Sequence, residues 1–198
     1  CDTLKGGIGI MGTEGNEITD LNGLNQVTTV IEGMTTYSGG LAIHDQDSLA
    51  DLTGLNNLTS IAGSVEFFAN SSLTSLRGLE DLTFIGGRLD IAGNDSLSSL
   101  TGLASLANVG DFLSIYGNNS LTSLSGLEML NSIGGFLRIS HNESLIDLAG
   151  IDNIDANTIS DLNIHDNVVL STCEVKSICE YLAAPNGDIY IAYNATGC

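Results

Sequence analysis

Basic side chains are nearly missing from this chain: five Lys and Arg stand against 24 Asp and Glu, for a formal net charge of −19. Phosphate backbones need a basic face, so this balance excludes nucleic acid as a partner. Its direct physical use is solubility through mutual repulsion. No run of 18 or more apolar residues occurs, so no transmembrane segment is expected. There is no signal-peptide pattern either, and any targeting segment is expected to lie outside these 198 residues. The patterns G-x-S-x-G, H-E-x-x-H, G-x-x-x-x-G-K-[ST] and C-x-x-C are all absent. Nucleophilic, zinc-peptidase, nucleotide and dithiol chemistry thus lack a sequence basis, and a non-catalytic protein without a cofactor is expected.

What the chain does have is repetition. Segments beginning at Asn70, Asn94, Asn118 and Asn142 all read N-x-S-L-x-x-L and follow one another at 24 residues. A fixed period of that length marks a solenoid, in which one repeat is one coil. The unit continues as x-G-L-x-x-L-x-x-I-G-G-x-L-x-I-x-x. Its L-x-I triplet alternates as a half-buried strand does, and it recurs around Ala42, Glu66, Asp90, Ser114, Arg138, Asn163 and Tyr190. Ile8-Gly9-Ile10 reads as a first copy. Eight such strands stacked in parallel make a sheet on the order of 34 Å long.

The other positions have separate tasks. Leu73, Leu76, Leu79, Leu82 and Ile85 are too evenly spread for one helical face and suit an interior reached from several sides of a coil. Gly78, Gly102, Gly126 and Gly150, with the pairs Gly39-Gly40, Gly86-Gly87 and Gly134-Gly135, fall at the corners. Asn70, Asn94, Asn118, Asn142, Asn167 and Asn194 close the strands, where an inward amide can satisfy backbone groups at the bend, forming an asparagine ladder. Five of the six N-x-[ST] sequons use these inward residues, which leaves Asn57 as the one credible acceptor.

On these residues the chain resembles leucine-rich repeats, and its N-x-S-L-x-x-L-x-G-L-x-x-L-x-x-I-G-G form is similar to the receptor L-domain variety found in secreted or surface proteins, including bacterial ones of the Bacteroidetes type. The resemblance spans roughly residues 18–194 and implies a right-handed parallel superhelix. It implies little about a ligand, because such repeats serve many partners.

One repeat domain is expected over 1–198: an N-terminal strand and cap at 1–17, about six coils at 18–167, and a C-terminal cap at 168–198. The first full coil carries an insertion at 31–38. Ladder spacing stretches to 25 residues at Asn167 and 27 at Asn194, so the C-terminal end is specialised. Val175, Ile178, Cys179 and Leu182 recur at i, i+3, i+4 and i+7 ahead of Pro185, which predicts an amphipathic helix over Glu174 to Ala183, covering the last open coil.

Cys173, Cys179 and Cys198 cluster in that cap, whereas Cys1 sits at the other end of the rod, too far for a disulfide within the chain. Either Cys173 or Cys179 bridges to Cys198, with Cys173 preferred, and such a bond points to an oxidising setting, extracellular or at the cell surface. Cys1 is left with three readings: pairing upstream, lipidation, or an intermolecular bond to the spare cap cysteine of a neighbouring copy. Carboxylates crowd at Asp45, Asp47 and Asp51, and again at Asp152, Asp155 and Asp161, where calcium is the fitting ion, although neither run has EF-hand spacing. His44 and His165 fall in one strand column several coils apart, so the histidines are not expected to form a metal cluster.

Strand alternation says which residues face outward. It puts Phe68, Phe112, Tyr116 and Phe136 on one face with Arg88 and Arg138, two of the five basic residues. Aromatics and arginines are common interface anchors. The expected function is recognition or adhesion, with a protein or glycan ligand held on this face. The alternative is a structural subunit joined end to end into a filament, through Cys1.

Overall fold

The computed structural model describes residues 3–12, 18–31 and 40–198. The repeat closes into a parallel β-solenoid of about seven turns. Each coil gives one strand to a long sheet of eight: Ile8–Met11, Leu41–His44, Val65–Phe68, Leu89–Ala92, Leu113–Tyr116, Leu137–Ser140, Leu162–His165 and Ile189–Ala192. These stack in chain order and in strict register, Leu113 pairing with Leu89 on one side and Leu137 on the other. Equivalent residues of successive coils therefore form columns.

A second, short sheet of six parallel strands was not legible in the pattern. It is built from Thr3–Lys5, Thr29–Ile31, Ser60–Ile61, Phe84–Ile85, Asn108–Val109 and Ser132–Ile133. Most of these strands are two residues long, too short for alternation to register. They fall at the x-I-G-G corner of the unit. Beyond Gly86, a Cβ would lie 2.2 Å from the Ala62 carbonyl oxygen of the coil before, so stacking at strand spacing leaves no room for a side chain. Gly78 combines the same constraint, 2.1 Å from Leu52 O, with a left-handed φ of +111°.

Between the sheets runs one continuous core. Leu73, Leu76, Leu79, Leu82, Ile85, Leu89 and Ile91 are fully buried, as are their equivalents in neighbouring coils. Each is covered by the coil before and the coil after rather than by its own.

From the strand Val65–Phe68 onward, the ladder asparagine that follows each long-sheet strand does two things. Asn118 Oδ1 accepts the Asn94 N–H at 3.1 Å, while its Nδ2 donates back to Ile91 O at 2.9 Å. Asn70, Asn94, Asn142 and Asn167 repeat this arrangement with their own neighbours. Asn194 closes the series, accepting the Asn167 N–H and donating to Ile164 O. The ladder also has a first rung absent from the asparagine pattern: buried Gln46, whose N–H donates to Asn70 Oδ1 at 3.0 Å and whose Oε1 accepts the Ile18 N–H at 3.1 Å.

The C-terminal helix α1 spans Lys176–Ala183, with Cys173 bonded to Cys198 at a Cα separation of 4.9 Å. Its buried face differs from the expected one. Val175, Ile178 and Tyr181 are buried with Ser177, whereas Cys179 and Leu182 are exposed. The rotation follows from Tyr181, whose hydroxyl donates to Ser160 O at 2.8 Å and accepts the Gly187 N–H at 3.2 Å, so the ring can be fully buried without stranding its polar end. As expected, α1 lies at the C-terminal end of the solenoid. It packs on the 3₁₀ turn Ala156–Thr158 of the coil before, leaving Ile189 in the last strand 43% exposed. The expected insertion lies outside the described residues apart from Ile31, which ends its strand, and Cys1 lies outside them too.

Candidate functional site: the outer face of the long sheet

Register fixes three outward columns. Ser114 stands between Asp90 and Arg138, and Tyr116 between Ala92 and Ser140, while Arg88, Phe112 and Phe136 immediately precede their strands. The Phe112 and Phe136 rings stack at 4.2 Å and 11°, half-buried against each other. Arg88 extends over the Phe112 ring, 5.6 Å from its centroid, and pairs with Glu66. Arg138 lies 4.9 Å from the Tyr116 centroid, its Nε donating to Ser140 Oγ at 3.1 Å. Five of the six residues singled out in the sequence thus form two linked runs, Arg88–Phe112–Phe136 and Arg138–Tyr116. Phe68 stands apart. One coil, bearing Ala92, separates it from Tyr116, and its ring neighbour is His44, at 5.8 Å.

Small outward residues form the floor beneath these side chains: Ser114, Ser140 and Ala92 are buried although they point away from the core. Asp90 sits in that floor. Burial pushes its carboxyl above the ordinary carboxylate range, against the opposing pull of the Ser114 hydroxyl and of Arg88. Beside the aromatic pair, Phe136, Arg138, Asp161 and Asn163 line a shallow depression of about 250 Å³. Asn163 Oδ1 is buried there without a hydrogen-bond partner among the described residues. A ring face, a guanidinium, a carboxylate and an unused amide acceptor converge, which suits a ligand carrying both apolar surface and hydrogen-bond donors.

Farther along the same face the histidines give a different outcome from the expected one. His44 and His165 are indeed in one column and far apart, but His141 and His165 are neighbours, with ring centroids 5.2 Å apart. Asp166 joins them: its Oδ2 is 2.6 Å from His165 Nδ1 and 3.6 Å from His141 Nε2. Alternation hid this group, because residues 165 and 166 would point to opposite faces in a continued strand. Asp166 and His141 both take the left-handed conformation, φ +56°, at the bend that ends their strands, and this brings the Asp166 side chain back beside His165. Tyr116 and Tyr190 flank the pair edge-on, each with a centroid 5.2 Å from its histidine.

Most of the carboxylates singled out for calcium accept hydrogen bonds within the chain. Asp51 accepts the Thr53 N–H at 2.9 Å, and hydrogen bonding to Thr53 holds its carboxyl below the ordinary range. Asp155 caps the turn Ala156–Thr158 through the Asn157 N–H, which lowers its carboxyl likewise. Asp47 accepts from Ser71 Oγ, Asp161 from the Asp188 N–H, and Asp152 from the Lys176 N–H. Asp45 occupies the left-handed bend after its strand. Among the described residues, no three of these carboxylates converge on one point. Asp51 and Asp155 close local turns, whereas Asp47, Asp152 and Asp161 accept from the following coil.

Comparison with known protein families, with curated proteins and with solved structures returns no match for this chain.

Proposed function

We propose that this protein is a non-catalytic recognition module that binds a protein or glycan through the outer face of its long sheet. The observation that carries this reading is the continuous patch formed by the Phe112–Phe136 stack, Arg88, Arg138 and Tyr116, bordering the depression that holds Asn163. Two of the chain's five basic residues converge here, on a molecule of net charge −19. Aromatic rings supply apolar contact at low entropic cost, and guanidinium groups supply direction. The resemblance of the repeat to receptor L-domain leucine-rich repeats supports the reading. An extracellular or cell-surface location is part of the proposal and draws on the Cys173–Cys198 bond.

The test is a screen of immobilised glycans and surface proteins with wild-type chain, Phe136→Ala and Arg138→Ala. Loss of a wild-type signal by tenfold or more in both variants, with the solenoid's circular dichroism unchanged, supports the patch. A ligand bound equally by all three sinks it.

A second reading, a subunit assembled end to end, is favoured by one observation. The last strand, Ile189–Ala192, has no pairing partner on its outer side among the described residues, and Ile189 and Leu182 are exposed beside it. A Cys1→Ser variant that still forms reducible multimers on a non-reducing gel would remove Cys1 from that reading.

A further inference from the structure

We infer that His141, His165 and Asp166 form a binding site for a transition-metal dication of the zinc type. The inference does not rest on the proposed recognition function, although Tyr116 borders both sites, and it stands on geometry. His141 Nε2, His165 Nδ1 and Asp166 Oδ2 are brought to within 4.8 Å of one another, the only such group of three among the described residues. Tetrahedral zinc with bonds of about 2.0–2.1 Å places its ligand atoms about 3.3 Å apart, so the three donors need to move by about 1 Å or less, within reach of side-chain rotation alone. The backbone that aims them is fixed: His141 N–H donates to His165 O at 3.2 Å, Asp166 N–H donates to Ala192 O at 3.1 Å, and each residue immediately precedes a ladder asparagine, Asn142 or Asn167.

Chemistry selects the ion. Two imidazoles and one carboxylate suit Zn²⁺, Cu²⁺ or Ni²⁺, whereas Ca²⁺ and Mg²⁺ take oxygen ligands in larger number. Three protein ligands leave a fourth position, and the exposure of His141 opens it to water. Tyr116 and Tyr190 flank the imidazoles on either side and restrict the freedom of both rings. In the metal-free chain the His165–Asp166 hydrogen bond holds two of the donors together, so binding exchanges that bond for coordination.

The experiment is a Zn²⁺ titration by calorimetry of the full chain in a Cys1→Ser/Cys179→Ser background, which removes the cysteines outside the Cys173–Cys198 bond as competing ligands. Millimolar Ca²⁺ and about 0.15 M salt are present to occupy the acidic surface. One Zn²⁺ per chain is expected. His141→Asn, which keeps a residue tolerant of the left-handed backbone, is expected to weaken binding by at least tenfold, and Asp166→Asn likewise. Co²⁺ is expected to give a visible absorption band in the parent protein and none in a His141→Asn/His165→Asn double variant. Absence of saturable Zn²⁺ binding overturns the inference, as does an affinity that the double variant leaves unchanged while its circular dichroism matches the parent.

Discussion

The middle of this solenoid and its C-terminal end use the same strand at the same register, yet the core residue is treated oppositely. Leu113 is fully buried, whereas Ile189, three strands farther along the same column, is 43% exposed. The difference is the missing neighbour. A coil does not bury its own leucines; the adjacent coils do. The end makes up for this covalently and with a helix, through the Cys173–Cys198 bond and the buried Tyr181 of α1, while the middle relies on repetition alone. The sharpest way to break the comparison is truncation at both places. Leu113→Ala should cost about 2–5 kcal/mol and Ile189→Ala less than about 1 kcal/mol, by chemical denaturation. Equal losses would mean that the last strand is packed as tightly as the interior.

The same contrast divides what the sequence made legible from what it hid. Period, long-sheet register, inward leucines, ladder asparagines and the outward columns all follow from residues repeated at fixed spacing, because each coil votes for the same structure. Features carried by single residues did not show. Gln46 stands in for an asparagine once; the two-residue strands of the short sheet offer no period; Tyr181 turns α1 by the bond its hydroxyl makes to Ser160. The histidine–aspartate group depends on left-handed backbone at His141 and Asp166, which strand alternation does not anticipate.

The ladder sharpens the comparison at smaller scale. Asn118→Ala removes a fully buried amide and strands the buried Asn94 N–H, whereas Asn194 is itself only partly buried, so water can take the place of its amide at the Asn167 N–H and the Ile164 carbonyl. The expected costs are about 1–3 kcal/mol for Asn118 and about 1 kcal/mol or less for Asn194. Hydrogen exchange is expected to localise the first to the coils of Asn94 and Asn118 and the second to the terminal strand. Matching losses at both ends of the ladder would mean that the amides act through something other than burial.

The smallest expected effect separates two carboxylates of this acidic chain by sign. Asp90, in the floor of the outer face, has its carboxyl raised above 3.8 chiefly by burial, so the folded state holds the proton over a window that the unfolded state does not. Its contribution favours folding below pH of about 4 and is lost as pH rises through the folded value. Asp51, held down by Thr53, behaves oppositely: its contribution is present above 3.8 and is lost as pH falls through its lower folded value. Asp90→Asn is therefore expected to match or exceed wild-type stability at pH 7, by less than about 1 kcal/mol because Arg88 and Arg138 oppose the shift, with the advantage fading below pH 4. Asp51→Asn is expected to lower the Tm at pH 7, and that loss should fade in acid. Thermal melts of the three proteins from pH 3 to pH 8 decide it: curves whose differences from wild type open in opposite directions with pH place Asp90 in a desolvated floor beneath the arginines, whereas parallel curves would mean that water reaches its carboxylate and that the outer face is looser than its stacked rings imply.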